Sequence, residues 1–267
     1  MYRQRFGLTG HVFPKDACAK TFTETPSFAK LKRRFKMLQV EPGLGVFIGD
    51  AGFGKTTSMR HLTSQLPRPQ NLVLYLCDTA TSPLDFYRQL AQDLGLRPSH
   101  RRAQLWREIK AHITQMVDES AIRLTVVIDE AQHLSDRFLL DLSGFLNFAF
   151  DSRNLLTVWL VGQPGLRRRL QMKLHAALAS RIAARVSLEA LSERADFDAF
   201  LEAGLKAAGA TATIVSDPAC ELLFRASRGV PRRIAWLLKE SLILAHERDQ
   251  SFVDDSIVEA VLDEEDF

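Results

Sequence analysis

The chain has 267 residues, 46% of them hydrophobic and 25% charged, a globular balance that excludes a disordered chain and supports a sizeable core. Its formal net charge of +3 does not by itself point to an anionic partner. The basic runs Lys32-Arg33-Arg34, Arg101-Arg102, Arg167-Arg168-Arg169 and Arg232-Arg233 are short, and short basic runs are as a rule solvated faces.

Cys18, Cys77 and Cys220 are scattered without metal-ligand spacing, so we expect reduced packing thiols. The N-terminus lacks a signal-peptide core, and no stretch approaches the ~18 continuous apolar residues of a membrane span. The expectation is a soluble, cytoplasmic protein without a membrane partner.

Residues 1–42 carry a Pro/Thr-rich segment at 21–27, then Phe28, Leu31, Phe35 and Leu38 at helical spacing, which predicts a helix ending near Pro42. Leu44 to Ile48 reads as a strand. It runs directly into Gly49-Asp50-Ala51-Gly52-Phe53-Gly54-Lys55-Thr56, which matches G-x-x-x-x-G-K-S/T in the strand-to-helix context that motif requires. Glycines there allow close approach of a phosphate, and successive backbone N–H groups with a helix N-terminus converge on its oxygens. Lys55 is then expected to reach the β- and γ-phosphates and the Thr56 hydroxyl to ligate Mg²⁺, with Thr57 completing the loop. The loop predicts a nucleoside triphosphate ligand.

Strand and helix signals then alternate: a helix over 55–66, a strand over 71–77 and a helix over 83–95. Such alternation predicts βαβ units and a parallel sheet. Ser99 is the expected N-cap of a helix over 100–118 whose apolar stripe is Leu105, Ile109, Ile113 and Met116, with Arg101, Arg102, Arg107 and Lys110 largely off it. Leu124 to Ile128 is a β-branched buried strand. Ser135 caps a helix whose Phe138, Leu139, Leu142, Phe145, Leu146 and Ala149 face the core. A fourth strand over 156–161 stops at Gly162-Gln163-Pro164, a helix covers 165–180, and Val186 to Leu188 is a short fifth strand. Beyond Leu191 only helices are expected, over 193–208, 218–228, 231–247 and 254–263, the second capped by Asp217.

Asp129 and Glu130 follow the third strand, where open α/β sheets bind their ligands. In phosphoryl chemistry such a pair divides the labour, Asp129 positioning Mg²⁺ and Glu130 accepting a proton from the attacking water.

Together, Tyr2 to Leu8 with Phe13-Pro14, the loop Gly49 to Thr56, Val127 to Gln132 and Val161-Gly162-Gln163-Pro164 resemble an AAA+ ATPase of the ExeA-like branch, which includes transposition regulators of the TnsC, TniB and IstB kind. The resemblance implies an α/β P-loop core with a parallel sheet flanked by helices, followed by a small helical lid. The expected partition is an N-terminal segment and helix at 1–42, the nucleotide-binding domain at 43–189 and the lid at 190–267.

It implies that ATP and Mg²⁺ are cofactors and that Gln163 is a sensor orienting water or reading the γ-phosphate. By residue chemistry alone Gln163 equally suits a turn before Pro164. Arg181, or else Arg185, is implied as an arginine finger reaching a neighbouring subunit's γ-phosphate, and either residue also suits a surface salt bridge. Arg232, at the start of a helix after Gly229-Val230-Pro231, is implied as a second sensor, with Arg233 pointing elsewhere.

The implied activity is ATP hydrolysis by a homo-oligomer, ring or helical filament, that binds duplex DNA independently of sequence. It would recruit or activate a transposase and answer to a target-selection protein. Arg101, Arg102 and Arg107 are the candidate DNA contacts, with Lys32 to Arg34 second. ExeA-like cores also occur in secretion-associated, membrane-anchored ATPases. The absence here of a membrane segment and a wall-binding domain ranks that reading second, beside a protein-directed switch without DNA.

Overall fold

The structure is a computed structural model that describes residues 2–14, 22, 24–79 and 82–265. Cys18 and part of the Pro/Thr-rich segment at 21–27 lie outside the described residues. In chain order the elements are α1 (Tyr2–Arg5), α2 (Pro26–Val40), β1 (Leu44–Ile48), α3 (Lys55–Ser64), β2 (Asn71–Leu76), α4 (Pro83–Asp93) and α5 (Arg102–Ser120). β3 (Arg123–Ile128), α6 (Asp136–Phe145), β4 (Leu156–Gly162), α7 (Pro164–Leu170), α8 (Ala176–Ala179) and β5 (Ile182–Ser187) follow. The chain continues as α9 (Arg194–Ala207), α10 (Asp217–Ser227), α11 (Pro231–Glu247) and α12 (Asp255–Glu265). Two compact units divide these elements, one holding residues 27–50 and 58–188, the other 1–26, 51–57 and 189–267.

The first unit is built on a parallel five-stranded sheet of order β2-β3-β4-β1-β5. Its central strands are buried on both faces, so they read as apolar runs, yet the period of two still sorts their side chains. Leu44, Val46 and Ile48 of β1, Leu124, Val126 and Ile128 of β3, and Leu156, Val158 and Leu160 of β4 enter one core with α4, α5 and α6. In that core Phe86 meets Phe138 at 4.5 Å and Tyr87 meets Phe145 at 4.9 Å, ring centroid to centroid.

The alternate residues serve α2. Phe35 stacks on Trp159 at 6.1 Å, and the Thr157 hydroxyl donates to the Leu38 carbonyl at 2.8 Å. Trp159 is fully buried, and a Cβ on Gly45 of β1 would lie 2.5 Å from its ring. Glycine there is a matter of room: the indole occupies what would be the neighbouring strand's side-chain position.

The second unit has its own apolar core, in which Phe6 and Leu8 join Leu191, Phe197, Leu223, Ile234, Leu238 and Ile257. The N-terminal stretch is fastened by bonds from the Thr9 and Gly10 N–H groups to the Ala208 carbonyl, at 2.8 and 3.0 Å, and by Phe13 stacking on Phe200 at 4.4 Å. Gly229 has φ +67° and a Cβ there would fall 2.1 Å from the Leu191 carbonyl oxygen, so the turn between α10 and α11 requires glycine.

Several local expectations are corrected. Ser99 does not cap α5: its hydroxyl accepts from the Arg101 N–H at 3.2 Å, and the helix begins only at Arg102. Ser216, one residue before the expected Asp217, caps α10 by accepting from the Ala219 N–H at 3.2 Å. α6 ends at Phe145, so Phe148 is buried and Ala149 exposed, and Ala149, Phe150 and Asp151 all take left-handed φ of 47°, 57° and 66°. The expected helix over 165–180 breaks after Leu170 and resumes as α8. The fifth strand begins four residues earlier than expected, because Ile182, Ala184 and Val186 alternate inward past an outward Ala183 and Arg185. Cys77 is exposed rather than packed, whereas burial pushes the Cys220 thiol up to about 11.

Gly45→Ala is expected to destabilise the chain by about 1–3 kcal/mol, the usual range for overpacking against a buried ring. A denaturation midpoint equal to the parent's would show that the Trp159 indole can yield.

Candidate nucleotide site

Because the sheet is parallel, every strand delivers its C-terminal residue to one edge. Within the first unit Gly49 leaves β1 there, its N–H bonded to the Gly162 carbonyl of β4 at 3.1 Å, and Asp129 leaves β3 with its N–H on the Leu76 carbonyl at 2.9 Å. Asp129 is 2% exposed, and its carboxylate is held by hydrogen bonds: Oδ1 accepts from the Glu130 N–H at 2.9 Å and Oδ2 from the Tyr75 hydroxyl at 2.9 Å. Burial, then the Asp129 carboxylate itself, pushes the Tyr75 hydroxyl well above the usual phenol range, so it stays a donor.

Glu130 turns the chain sharply at φ +51°, a left-handed conformation uncommon for a residue with a side chain. A short 3₁₀ turn over Ala131–His133 follows, and Gln132 folds back so that its Nε2 donates to Glu130 Oε2 at 2.6 Å while its Oε1 accepts from the Gln163 N–H at 3.0 Å. Glu130 and Gln163, 33 positions apart, are thus joined through one amide. Sequence alone assigns neither Tyr75 nor Gln132 a functional role. A lone tyrosine at the end of the strand beside β3, and a glutamine two residues past the acidic pair, were the available signals.

The glycine loop, residues 51–57, groups with the second unit. Gly52 and Gly54 have φ of +84° and +90°, so both glycines are required by backbone conformation. Lys55 and Thr56 open α3, where the first N–H groups of a helix lack intrahelical acceptors, and Lys55 is only 7% exposed. The Arg232 N–H donates to the Gly52 carbonyl at 3.1 Å, and the Arg232 Cβ and Val230 Cγ1 would each lie 3.1 Å from a Cβ on Gly52. The start of α11 therefore braces the loop. Arg233 turns away, its Nε donating to the Ala226 carbonyl at 2.8 Å.

Within the second unit, positive φ at the glycines, a helix start and the buried Lys55 fit a phosphate-binding loop; within the first, the strand edge presents the buried Asp129 carboxylate. Among the described residues no group of three or more His, Cys, Asp or Glu side chains is arranged to cage a metal. An ion of the magnesium kind held here would share its coordination with phosphate and water.

Arg181 lies in the first unit at the opposite, amino edge of the sheet, whereas Arg185 stands mid-strand opposite Val46. Arg181 precedes β5, pairs with Asp151, and lines a cavity of about 390 Å³ with Gly43, Leu44, Asn154 and Leu156. Arg185 sits within β5, its guanidinium donating to the Ala179 and Ile182 carbonyls at 2.9 and 3.2 Å. Arg101, Arg102 and Arg107, near the start of α5, are all exposed, and Arg102 in addition pairs with Asp141 at 2.7 Å and stacks 4.5 Å from the Trp106 ring centroid.

The family profile described as AAA domain matches residues 38–170. General secretion pathway protein A of Aeromonas hydrophila is 31% identical over 259 residues, which cover 93% of this chain and 45% of that protein, so the chain spans under half of this relative. Cdc6p from Pyrobaculum aerophilum superposes with a TM-score of 0.69 at 15% identity, covering 91% of this chain and 67% of that one. For Drosophila ORC bound to DNA the TM-score is 0.70 at 17% identity, over 98% and 64% of the two chains. For the RuvB Holliday junction branch migration motor of Thermotoga maritima it is 0.60 at 14%, over 89% and 67%. At these identities the three structures speak for the fold alone. The sheet order, the loop after β1 and the matched profile agree: the chain has the P-loop AAA+ fold, and its residues 38–170 match the AAA domain profile.

Proposed function

We propose that this chain binds and hydrolyses Mg–ATP as an oligomeric switch, and that its output is the regulation of DNA transposition. The observation that carries the hydrolytic reading is the common strand edge at which Asp129, Glu130 and Gln163 stand beside the departure of Gly49 from β1.

In this reading the loop from Gly49 through Asp50, Ala51, Gly52, Phe53 and Gly54 to Thr57 cradles the phosphates with backbone donors and Lys55 neutralises the β- and γ-phosphates. Bound Mg²⁺ supplies Lewis-acid stabilisation of the phosphate charge, with Thr56 and Asp129 as the residues to hold it, Asp129 through water. Glu130 accepts the proton of the attacking water, Gln163 orients that water, and Arg232 reads the phosphates from the start of α11.

Arg181 is proposed as the finger. Strands of five to seven residues separate the amino edge of the sheet from the carboxyl edge by about 20 Å. An arginine at the amino edge is therefore out of reach of the water that its own Glu130 activates, which supports action on a neighbouring subunit and a head-to-tail assembly, ring or filament. Arg185, already committed to two carbonyls, is the weaker candidate.

The transposition output is supported by the motif set that resembles transposition regulators, with a transposase and a target-selection protein as partners. A second reading, a secretion-associated ATPase, is favoured by the 31% identity to General secretion pathway protein A. Sequence-independent binding to duplex DNA, Arg101 and Arg107 contributing, separates the two.

Glu130→Gln keeps the shape and removes the base, so ATP should still bind while turnover falls by about 10²–10⁴-fold. Parental turnover would assign water activation to another residue. Arg181→Ala subunits should likewise bind ATP and turn over poorly, and mixing them with Glu130→Gln subunits should restore part of the rate. No rescue in verified mixed assemblies would place the arginine's action within its own subunit or give the role to Arg185.

With ATP, duplex binding should weaken with salt, the logarithm of the binding constant falling by about 0.9 per neutralised phosphate per log unit. Arg101→Ala with Arg107→Ala should weaken it on all sequences alike. If no binding is detected at low ionic strength, the secretion or protein-directed reading replaces the DNA regulator.

A further inference from the structure

The amide of Gln132 touches both Glu130 and the end of β4. Its orientation is fixed by chemistry. The Gln163 backbone N–H can only donate, so the atom facing it at 3.0 Å is the amide oxygen, and the NH₂ group is thereby directed at Glu130 Oε2, 2.6 Å away. Two features make room for this bridge and hold it. Gly162, the last residue of β4, leaves the space the amide occupies: a Cβ there would lie 2.8 Å from Gln132 Oε1 and 3.3 Å from the Gln132 nitrogen. Arg169 of α7 grips the 3₁₀ turn by its backbone, donating to the Gln132 and Leu134 carbonyls at 3.0 and 2.5 Å.

Arg169 is itself fixed by Asp136 Oδ1 at 2.5 Å, and the same oxygen meets Nε2 of the buried His175 at 2.9 Å. The turn is therefore secured through main-chain carbonyls, without help from the Gln132 side chain. What the amide adds is aim: it selects one direction for the Glu130 carboxylate and ties that direction to the Gln163 backbone.

We propose that Gln132 is a positioning residue for hydrolysis, holding the Glu130 carboxylate toward the attacking water and coupling it to the Gln163 end of β4. This rests on the reading of Glu130 as the group that activates water. A carboxylate swung away by an ångström still leaves the nucleotide bound, so the loss falls on turnover.

The test uses the full chain with two substitutions. Gln132→Met removes both hydrogen bonds at nearly constant volume. Gln132→Glu keeps an acceptor for the Gln163 N–H and sets a like charge against Glu130. In both, kcat for ATP hydrolysis should fall by about ten- to hundredfold with KM and ATP affinity within about twofold of the parent and an unchanged melting temperature. The Glu130→Gln, Gln132→Met double variant should be no slower than Glu130→Gln alone, because the bridge acts only through the carboxylate.

If Glu130→Gln is inactive while either Gln132 variant turns over at the parental rate, the bridge is idle and the proposal is overturned, the function of Glu130 standing. If Glu130→Gln itself keeps the parental rate, both fall. Losses in kcat matched by a higher KM and a lower melting temperature overturn it too, marking Gln132 as a prop of the fold. Should Gln132→Met fail to fold, the kcat of Gln132→Glu decides alone.

Discussion

The placement of β1 between β4 and β5, in parallel with both, is the constraint on which the rest of the first unit depends. A strand with both edges paired cannot slide without breaking two ladders, and a slip of one residue would turn Phe47 and Val46 to the wrong faces. The ladder continues past the strand itself, since the Gly49 N–H reaches the Gly162 carbonyl and the Leu188 N–H reaches the Ile48 carbonyl. The first glycine of the loop is thereby fixed to the same edge that presents Gln163 and, one strand further, Asp129 and Glu130. Close contact between Gly45 and Trp159 reinforces the register from within.

Much of this arrangement was legible in the chain because it is written in local chemistry. The apolar stripe of α5, the strands through Val46, Val126 and Val158, and the serine cap of α6 follow from periods of 3.6 and 2 and from hydroxyl capping. The glycine loop and the acidic pair after β3 were legible for the same reason. The misplacements occurred where two local solutions compete. Ser216 won the cap of α10 over Asp217 because the serine hydroxyl reaches the Ala219 N–H, leaving Asp217 and Pro218 to fill the first turn. β5 was shortened because Arg185 and Ala183 on its outer face hid the inward alternation of an edge strand.

Less legible were the contacts that depend on tertiary placement. Tyr75 reads as one more apolar strand residue until β2 is set beside β3, where its hydroxyl finds Asp129. Gln132 reads as an ordinary polar neighbour until the left-handed turn at Glu130 folds it back and Gly162 opens a space for it. Local periodicity does not carry the positive φ at Glu130, and that single dihedral decides where the glutamine goes. Comparison with known proteins adds the fold and a secretion-pathway relative.

The ion pair between Arg181 and Asp151 has a kinetic meaning of its own. The guanidinium donates a hydrogen bond to a carboxylate on the same chain, and that bond lowers the Asp151 carboxyl from its ordinary range. Any anion arriving from outside must enter by ligand exchange against a competitor whose local concentration never falls. Dilute, singly charged anions lose that competition, whereas an anion with several oxygens delivered by an already docked surface can win it. On the proposal that Arg181 acts on a neighbouring subunit, Asp151 is the partner that the guanidinium would exchange for the incoming phosphate.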